Sequence, residues 1–170
     1  MIKLVLVDLN FEVVEALRNE FHDLPEVNVL HGDILEIAEC AVVSPANSMG
    51  FMDGGVDLAY RHCFGPALEG VLRDRIANMP KGCLPVGSAM VLPTELPRIP
   101  FVVFAPTMEA PEPVPDLNVR RAMSAALRAA SKVSGLGTLY CPGLGTGVGS
   151  VPPQLAAHQM RLSYESWREH

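Results

Sequence analysis

Apolar residues along this chain follow two rhythms, near-continuous short runs and recurrences at three- and four-residue spacing. Ile2–Leu9 is an almost unbroken apolar run rich in Leu and Val and reads as a strand. Asn10 follows as a helix cap, and Val13, Val14, Leu17 and Phe21 then recur at helical spacing. Val27–Leu30 predicts a second short strand, closed by His31-Gly32-Asp33. Ala41–Val43 is wholly apolar, as expected of a central strand covered on both faces. Residues 44–55 are small, polar and glycine-rich and make a loop. A helix starts near Gly55 and runs through Tyr60 to Phe64. Gly65-Pro66 breaks it, and another covers Ala67–Ala77.

Pro80–Pro85 is a connector, followed by strands at Val86–Leu92 and Phe101–Ala105. Pro106, Pro111, Pro113 and Pro115 make residues 106–117 an extended surface loop. Val119, Met123, Ala126, Leu127, Ala130 and Val133 form the buried stripe of a helix. Leu139–Cys141 is a strand, Gly143–Gly149 a second glycine-rich loop, and Pro152 a first-turn proline for a helix ending near Trp167. Strands alternating with helices predict α/β layering, with helices on both faces of one sheet and a single domain over residues 1–170. Both glycine loops follow a strand and precede a helix. They are therefore expected on the same sheet edge, where such folds bind ligands.

Composition narrows the class. With 49% hydrophobic and 19% charged residues the chain is globular, and no apolar run approaches the ~20 residues of a membrane span. The start of the chain lacks the features of a secretory signal, so the protein reads as soluble, unexported and cytoplasmic, with no membrane partner. Net charge is −6, and the lysines are Lys3, Lys81 and Lys132 alone, which argues against nucleic acid. Arg120, Arg121 and Arg128 read as the wet face of a helix. Cys40, Cys63, Cys83 and Cys141 form no CxxC pair and have no histidine at zinc-finger spacing, so neither metal nor cofactor is expected.

The glycine loops carry the chemistry. Ser44–Gly55 and Pro142–Ser150 contain no lysine, so a phosphate held there would be gripped by main-chain N–H groups at helix N-termini. Amide dipoles act locally, so the acidic net charge is no obstacle. A Walker loop needs Gly-Lys-Ser/Thr, and Gly143–Gly149 misses GxGxxG spacing. The plainer reading is that the glycines only make tight turns.

Three blocks in order resemble the macro domain family over about residues 1–165. They are Val29-Leu30-His31-Gly32-Asp33-Ile34; Ala46-Asn47-Ser48 with Gly54-Gly55-Val56-Asp57; and Pro142 to Pro152. Gly87 and Ala89 fit a weaker family signal. The resemblance implies a three-layer α/β/α sandwich around a mixed, largely parallel sheet, with ADP-ribose along its crest. Asp33 would then accept from the adenine amine, with the Ile34 amide helping to read the ring. Gly54, Gly55 and Val56 would offer amides to the pyrophosphate, and the loop Gly143, Gly145, Thr146, Gly147, Val148 and Gly149 would close over it. Asn47 would reach the distal ribose. The bland alternatives are a helix or turn cap for Asp33 and an Asx-turn for Asn47.

In the branch of the family that removes mono-ADP-ribose from proteins, an Asn and an Asp occupy positions matching Asn47 and Asp57. The resemblance thus makes these two the catalytic pair, Asp57 orienting or deprotonating a water that attacks the anomeric carbon. Substrates would be mono-ADP-ribosylated protein, O-acetyl-ADP-ribose or ADP-ribose 1″-phosphate. The alternatives are a non-catalytic ADP-ribose reader, or a structural protein that kept the fold. Asp57 can equally be a carboxylate favouring a helix N-terminus. The chain departs from the family pattern at Ser44 (usually the first Asn), at Met52-Asp53 (usually glycines) and at Gly149-Ser150 (usually an aromatic and a glycine). Adjacent residues on a helix do not face each other, so His62-Cys63 is no catalytic pair, and Cys63 is expected on the apolar side with Tyr60.

Overall fold

The computed structural model describes all residues, Met1–His170. The strands are β1 (Lys3–Asp8), β2 (Asn28–His31), β3 (Ala41–Ser44), β4 (Met90–Pro93), β5 (Phe101–Phe104) and β6 (Thr138–Cys141). The helices are α1 (Phe11–Phe21), α2 (Ile34–Ile37), α3 (Gly55–Phe64), α4 (Pro66–Ala77), α5 (Asp116–Ser131) and α6 (Pro153–Arg168). One six-stranded sheet runs β2-β1-β6-β3-β5-β4. Every pairing is parallel except β4 with β5. This is the expected α/β/α sandwich on a mixed, largely parallel sheet.

Alternate side chains of each strand feed opposite layers. Leu4 and Leu6 of β1, Ala41 and Val43 of β3 and Val103 of β5 join a core shared with α1, α5 and α6. Val5, Val7, Val42, Val102 and Phe104 point the other way, onto Tyr60 of α3 and Leu68, Leu72 and Ile76 of α4. Burial on both faces explains why these strands read as continuous apolar runs rather than alternating ones.

Asn10 caps α1 as expected, its side chain accepting from the Glu12 N–H at 2.9 Å. Several boundaries differ from expectation, two of them at prolines or glycines, while α5 takes in Asp116 and Leu117 from the expected loop. The strand placed at Val86–Leu92 begins only at Met90, because Gly87 takes φ +100° and the Ser88 N–H turns back to the Pro85 carbonyl. At α6, Pro152 is the cap and Pro153 the first helical residue. No helix is long and apolar enough to cross a membrane.

Candidate functional site

Because β1, β2, β3, β5 and β6 are parallel, their carboxyl ends share one edge of the sheet. The connections leaving that edge line a single cleft of about 800 Å³. Asp8, Asp33, Asn47, Gly54–Asp57, Thr107–Pro111 and Gly143 with Gly145–Gly149 all face it. The two glycine loops therefore do meet across one space. No Lys, Arg or His lines it.

The first loop is pinned from behind by side chains. Met52 is fully buried in the α3/α4 core. Its N–H donates to Glu69 Oε2 of α4 at 2.7 Å. Asp53 also lines the cleft, and its Oδ1 lies 3.6 Å from Arg61 Nη1, which opposes its charge. Gly55 adopts φ +59°, a conformation that favours glycine. The N–H groups of Gly54, Gly55, Val56 and Asp57 make no hydrogen bond within the protein. They are the free donors of the α3 N-terminus, and they lie on the cleft.

The second loop is held by close packing. A Cβ on Gly143 would stand 2.3 Å from Val13 Cγ1, and the Gly143 N–H is already given to Asp8 Oδ2 at 2.9 Å. A Cβ on Gly145 would meet Val119 Cγ2 at 2.7 Å, and one on Gly149 the Gly145 carbonyl at 2.8 Å. No side chain fits at Gly149, which accounts for the missing aromatic. The N–H groups from Gly145 through Gly149 have no acceptor in the protein. Gly143 thus contributes shape where Gly145, Thr146, Gly147, Val148 and Gly149 contribute donors.

Asp33 sits where β2 gives way to α2, a four-residue helix absent from the sequence reading. It caps that helix, Oδ1 accepting from the Leu35 N–H at 2.9 Å. Its Oδ2 has no protein partner and the Ile34 N–H is free at the same rim. The cap reading is realised with one oxygen, which leaves the other for a ligand. Asn47 lines the cleft while making the Asx-type turn. Its Oδ1 accepts from the N–H groups of Met49 at 3.1 Å and Phe51 at 3.3 Å, and its Nδ2 donates to the Phe51 carbonyl at 3.4 Å.

Asp57 lies in the first turn of α3, 8% exposed. Burial pushes its carboxyl up to about 7, against the lowering effect of the Ser44 hydroxyl, which donates to Oδ1 at 2.5 Å. No cation is paired with it. Mere stabilisation of a helix end would leave the carboxylate solvated, so this burial fits a group tuned toward neutrality.

The sequence reading missed Asp8, Glu69 and Thr107. Asp8 had a readable signal, a carboxylate ending a strand just as Asp33 does. Its Oδ1 accepts from the Asn10 N–H and its Oδ2 ties down the second loop. Glu69 had none, since it meets Met52 only through the tertiary fold. Cys63 needs correction, because it is exposed rather than apolar-side. The buried stripe of α3 passes from Asp57 through Tyr60 to Phe64, whose ring packs edge-on to Tyr60 at 5.9 Å, and leaves Cys63 outside. Phe104 and Tyr164 are core residues.

Known proteins share this arrangement. The family model for the macro domain matches residues 43–160. An uncharacterised protein of Aquifex aeolicus is 38% identical over 136 residues, spanning 79% of this chain and 78% of that protein. The Oceanobacillus iheyensis macrodomain solved with ADP is 25% identical with a TM-score of 0.69, over 82% of this chain and 75% of the other. The macrodomain of Mycobacterium tuberculosis DarG has the same fold at 18% identity, with a TM-score of 0.69 over 79% and 87% of the two chains. The stretch matched by the family model begins in β3, takes in both glycine loops and ends in α6, and on that ground the chain belongs to the macro domain family.

Proposed function

We propose that the cleft binds ADP-ribose and that Asp57 serves as the base in hydrolysing an ADP-ribosyl derivative. The observation that carries the binding is the pair of facing amide sets, Gly54–Asp57 and Gly145–Gly149, all without protein acceptors. Free N–H groups converging from two loops suit a diphosphate, and a pocket without cations leaves the amides to do the neutralising. The similar Oceanobacillus iheyensis macrodomain has been solved with ADP, and a variant of it with ADPR. Asp33 Oδ2 and the Ile34 N–H supply an acceptor and a donor for the adenine edge.

In the proposed reaction a water oxygen bonds to the anomeric carbon of the distal ribose. The bond from that carbon to the carrier oxygen breaks, and its electron pair leaves with the carrier. Asp57 takes the water's proton. A base titrating near 7 is matched to neutral conditions, and such a base contributes about 10²–10⁴-fold in rate. Mono-ADP-ribosylated protein, O-acetyl-ADP-ribose and ADP-ribose 1″-phosphate are the substrates to try. The reader alternative draws on one observation, the commitment of the Asn47 amide to its own loop.

Calorimetry with ADP-ribose, ADP and NAD in parallel tests the ligand. ADP-ribose should bind tightest, and absence of heat at millimolar ADP-ribose would leave only the fold. Turnover lost in Asp57→Ala with binding retained supports the enzyme. Tight binding by the wild type with no turnover of any of these substrates supports the reader.

A further inference from the structure

Ser44 ends β3 directly beneath the cleft and is fully buried. Its hydroxyl donates to Asp57 Oδ1 at 2.5 Å and has no other side-chain or main-chain partner. Asp57 Oδ2 makes no hydrogen bond, yet it keeps contact with solvent, and the residue faces the cleft. The two oxygens of one carboxylate are thereby made different, Oδ1 satisfied from below and Oδ2 open above.

We propose that Ser44 is the positioning residue for Asp57, fixing Oδ1 so that Oδ2 is the oxygen that receives the proton. The proposal rests on the hydrolytic reading above. Its logic is one of donors and acceptors. While Asp57 is ionised, the Ser44 hydroxyl donates to a charged oxygen, which is the stronger kind of hydrogen bond. Once Oδ2 takes a proton, Oδ1 is still a carbonyl oxygen and still accepts from Ser44. The contact therefore survives the transfer. A proton placed on Oδ1 would instead displace the serine hydrogen in a buried site that offers it no other acceptor.

The surroundings leave this task to Ser44 alone. Tyr60, one turn along α3, donates its hydroxyl to the Val43 carbonyl at 3.0 Å and is committed. Cys141 on β6 is buried, its thiol held neutral by burial and by Asp8. Asp8 and Asp33, at the ends of β1 and β2, are the charged groups that act on the Tyr60 hydroxyl together with Asp57, and both are acids. With no Lys, Arg or His on the cleft, a single hydroxyl opposes the burial that favours the neutral acid.

The test is to follow the Asp57 carboxyl carbon by NMR through a pH titration in wild type, Ser44→Ala and Ser44→Thr, alongside turnover against pH. Ser44→Ala should raise the Asp57 midpoint by about one to two pH units, the range expected for losing a hydrogen bond to a charged group. Its turnover at pH 7 should fall about five- to fifty-fold and recover toward higher pH, with ADP-ribose affinity within about twofold of wild type. Ser44→Thr, which keeps the hydroxyl, should restore the wild-type midpoint. An unmoved midpoint in Ser44→Ala overturns the proposal even where turnover is found. A moved midpoint in a protein that hydrolyses nothing upholds the Ser44–Asp57 link and removes the hydrolytic reading instead.

Discussion

The two glycine loops face one cleft and offer the same donors, but the fold treats them in opposite ways. In the first, Gly54 and Gly55 have open space where a Cβ would stand, and the loop is tied through its neighbours, Met52 to Glu69 and Asp53 to Arg61. In the second, Gly143, Gly145 and Gly149 are glycines because atoms of α1, α5 or the loop itself occupy the Cβ position. Gly54 and Gly55 leave room for a ligand, whereas Gly143, Gly145 and Gly149 leave room for the protein, as does Gly50 at the back of the first loop, where a Cβ would stand 2.8 Å from Ile76 Cδ1. Function and stability are thus separated across the cleft. Substitutions at Gly143, Gly145 and Gly149 should destabilise the fold, while those at the cleft face of the first loop, Gly54 and Asp57, should leave it as stable or firmer and damage chemistry.

The largest effect is expected at Gly145. A methyl there lies 2.7 Å from Val119 Cγ2 and 3.2 Å from Val151 Cγ2, both buried, on a backbone with φ +74°. Overpacking costs about 1–3 kcal/mol and the left-handed conformation about 1–2 for an L-residue. Gly145→Ala should therefore lose about 2–5 kcal/mol, a Tm drop of roughly 5–15 °C for a domain of this size. Thermal denaturation without ligand checks it. A Tm within about a degree of wild type would break the proposed division between the loops.

Asp57→Asn should act in the opposite direction. In the unfolded chain its carboxyl titrates near 3.9, and in the fold near 7, so the folded state binds the extra proton between those values. Stability from this group is therefore intact below about pH 4 and is lost as pH rises through about 7. Asparagine carries no such charge. The variant should exceed wild type by about 2–4 kcal/mol at pH 8, with the gap closing toward pH 4. Denaturant midpoints at several pH values read this directly, and a gap independent of pH would assign it to packing instead.

Those two residues also mark what local signals can convey. Gly145 and its loop stand out as a glycine cluster between a strand and a helix, and the central position of Ala41–Val43 follows from its unbroken apolarity. The convergence of the loops came from strand–helix alternation alone, because parallel strands put every such turn on one edge. Burial of Asp57 under Ser44 is not local, since the two lie thirteen positions apart. The same holds for Glu69 and Met52, seventeen apart, and for Gly143 and Asp8, 135 apart. The helix α2 went unread because four residues carry no periodicity, and its cap, Asp33, looks in sequence like a turn residue. Gly87 interrupts an otherwise strand-like run through its backbone conformation, which composition does not display.

Glu69→Ala tests the ties behind the first loop. It leaves the N–H of the fully buried Met52 without an acceptor, a loss of about 1–3 kcal/mol. Hydrogen exchange should quicken in residues 52–57 and not in the second loop. Glu69→Gln retains an acceptor oxygen and should recover most of the protection. Uniform quickening over both loops would mean that they are not held independently.

The smallest change in stability should accompany a clear change in binding. Gly54 has φ −152°, extended backbone open to any residue, and no atom lies within 4 Å of its would-be Cβ. Gly54→Ala should therefore keep its Tm, with any change within about 0.5 kcal/mol. The new methyl stands beside the free amides, where a diphosphate has to come within hydrogen-bond distance of the main chain. ADP-ribose affinity measured by calorimetry should fall by about tenfold or more, since that loss corresponds to about 1.4 kcal/mol, within the cost of displacing one charge-assisted hydrogen bond. Unchanged affinity would put the phosphates out of reach of the α3 N-terminus. The openness around Gly54 would then be a property of the surface, and the second loop would have to hold the anion alone.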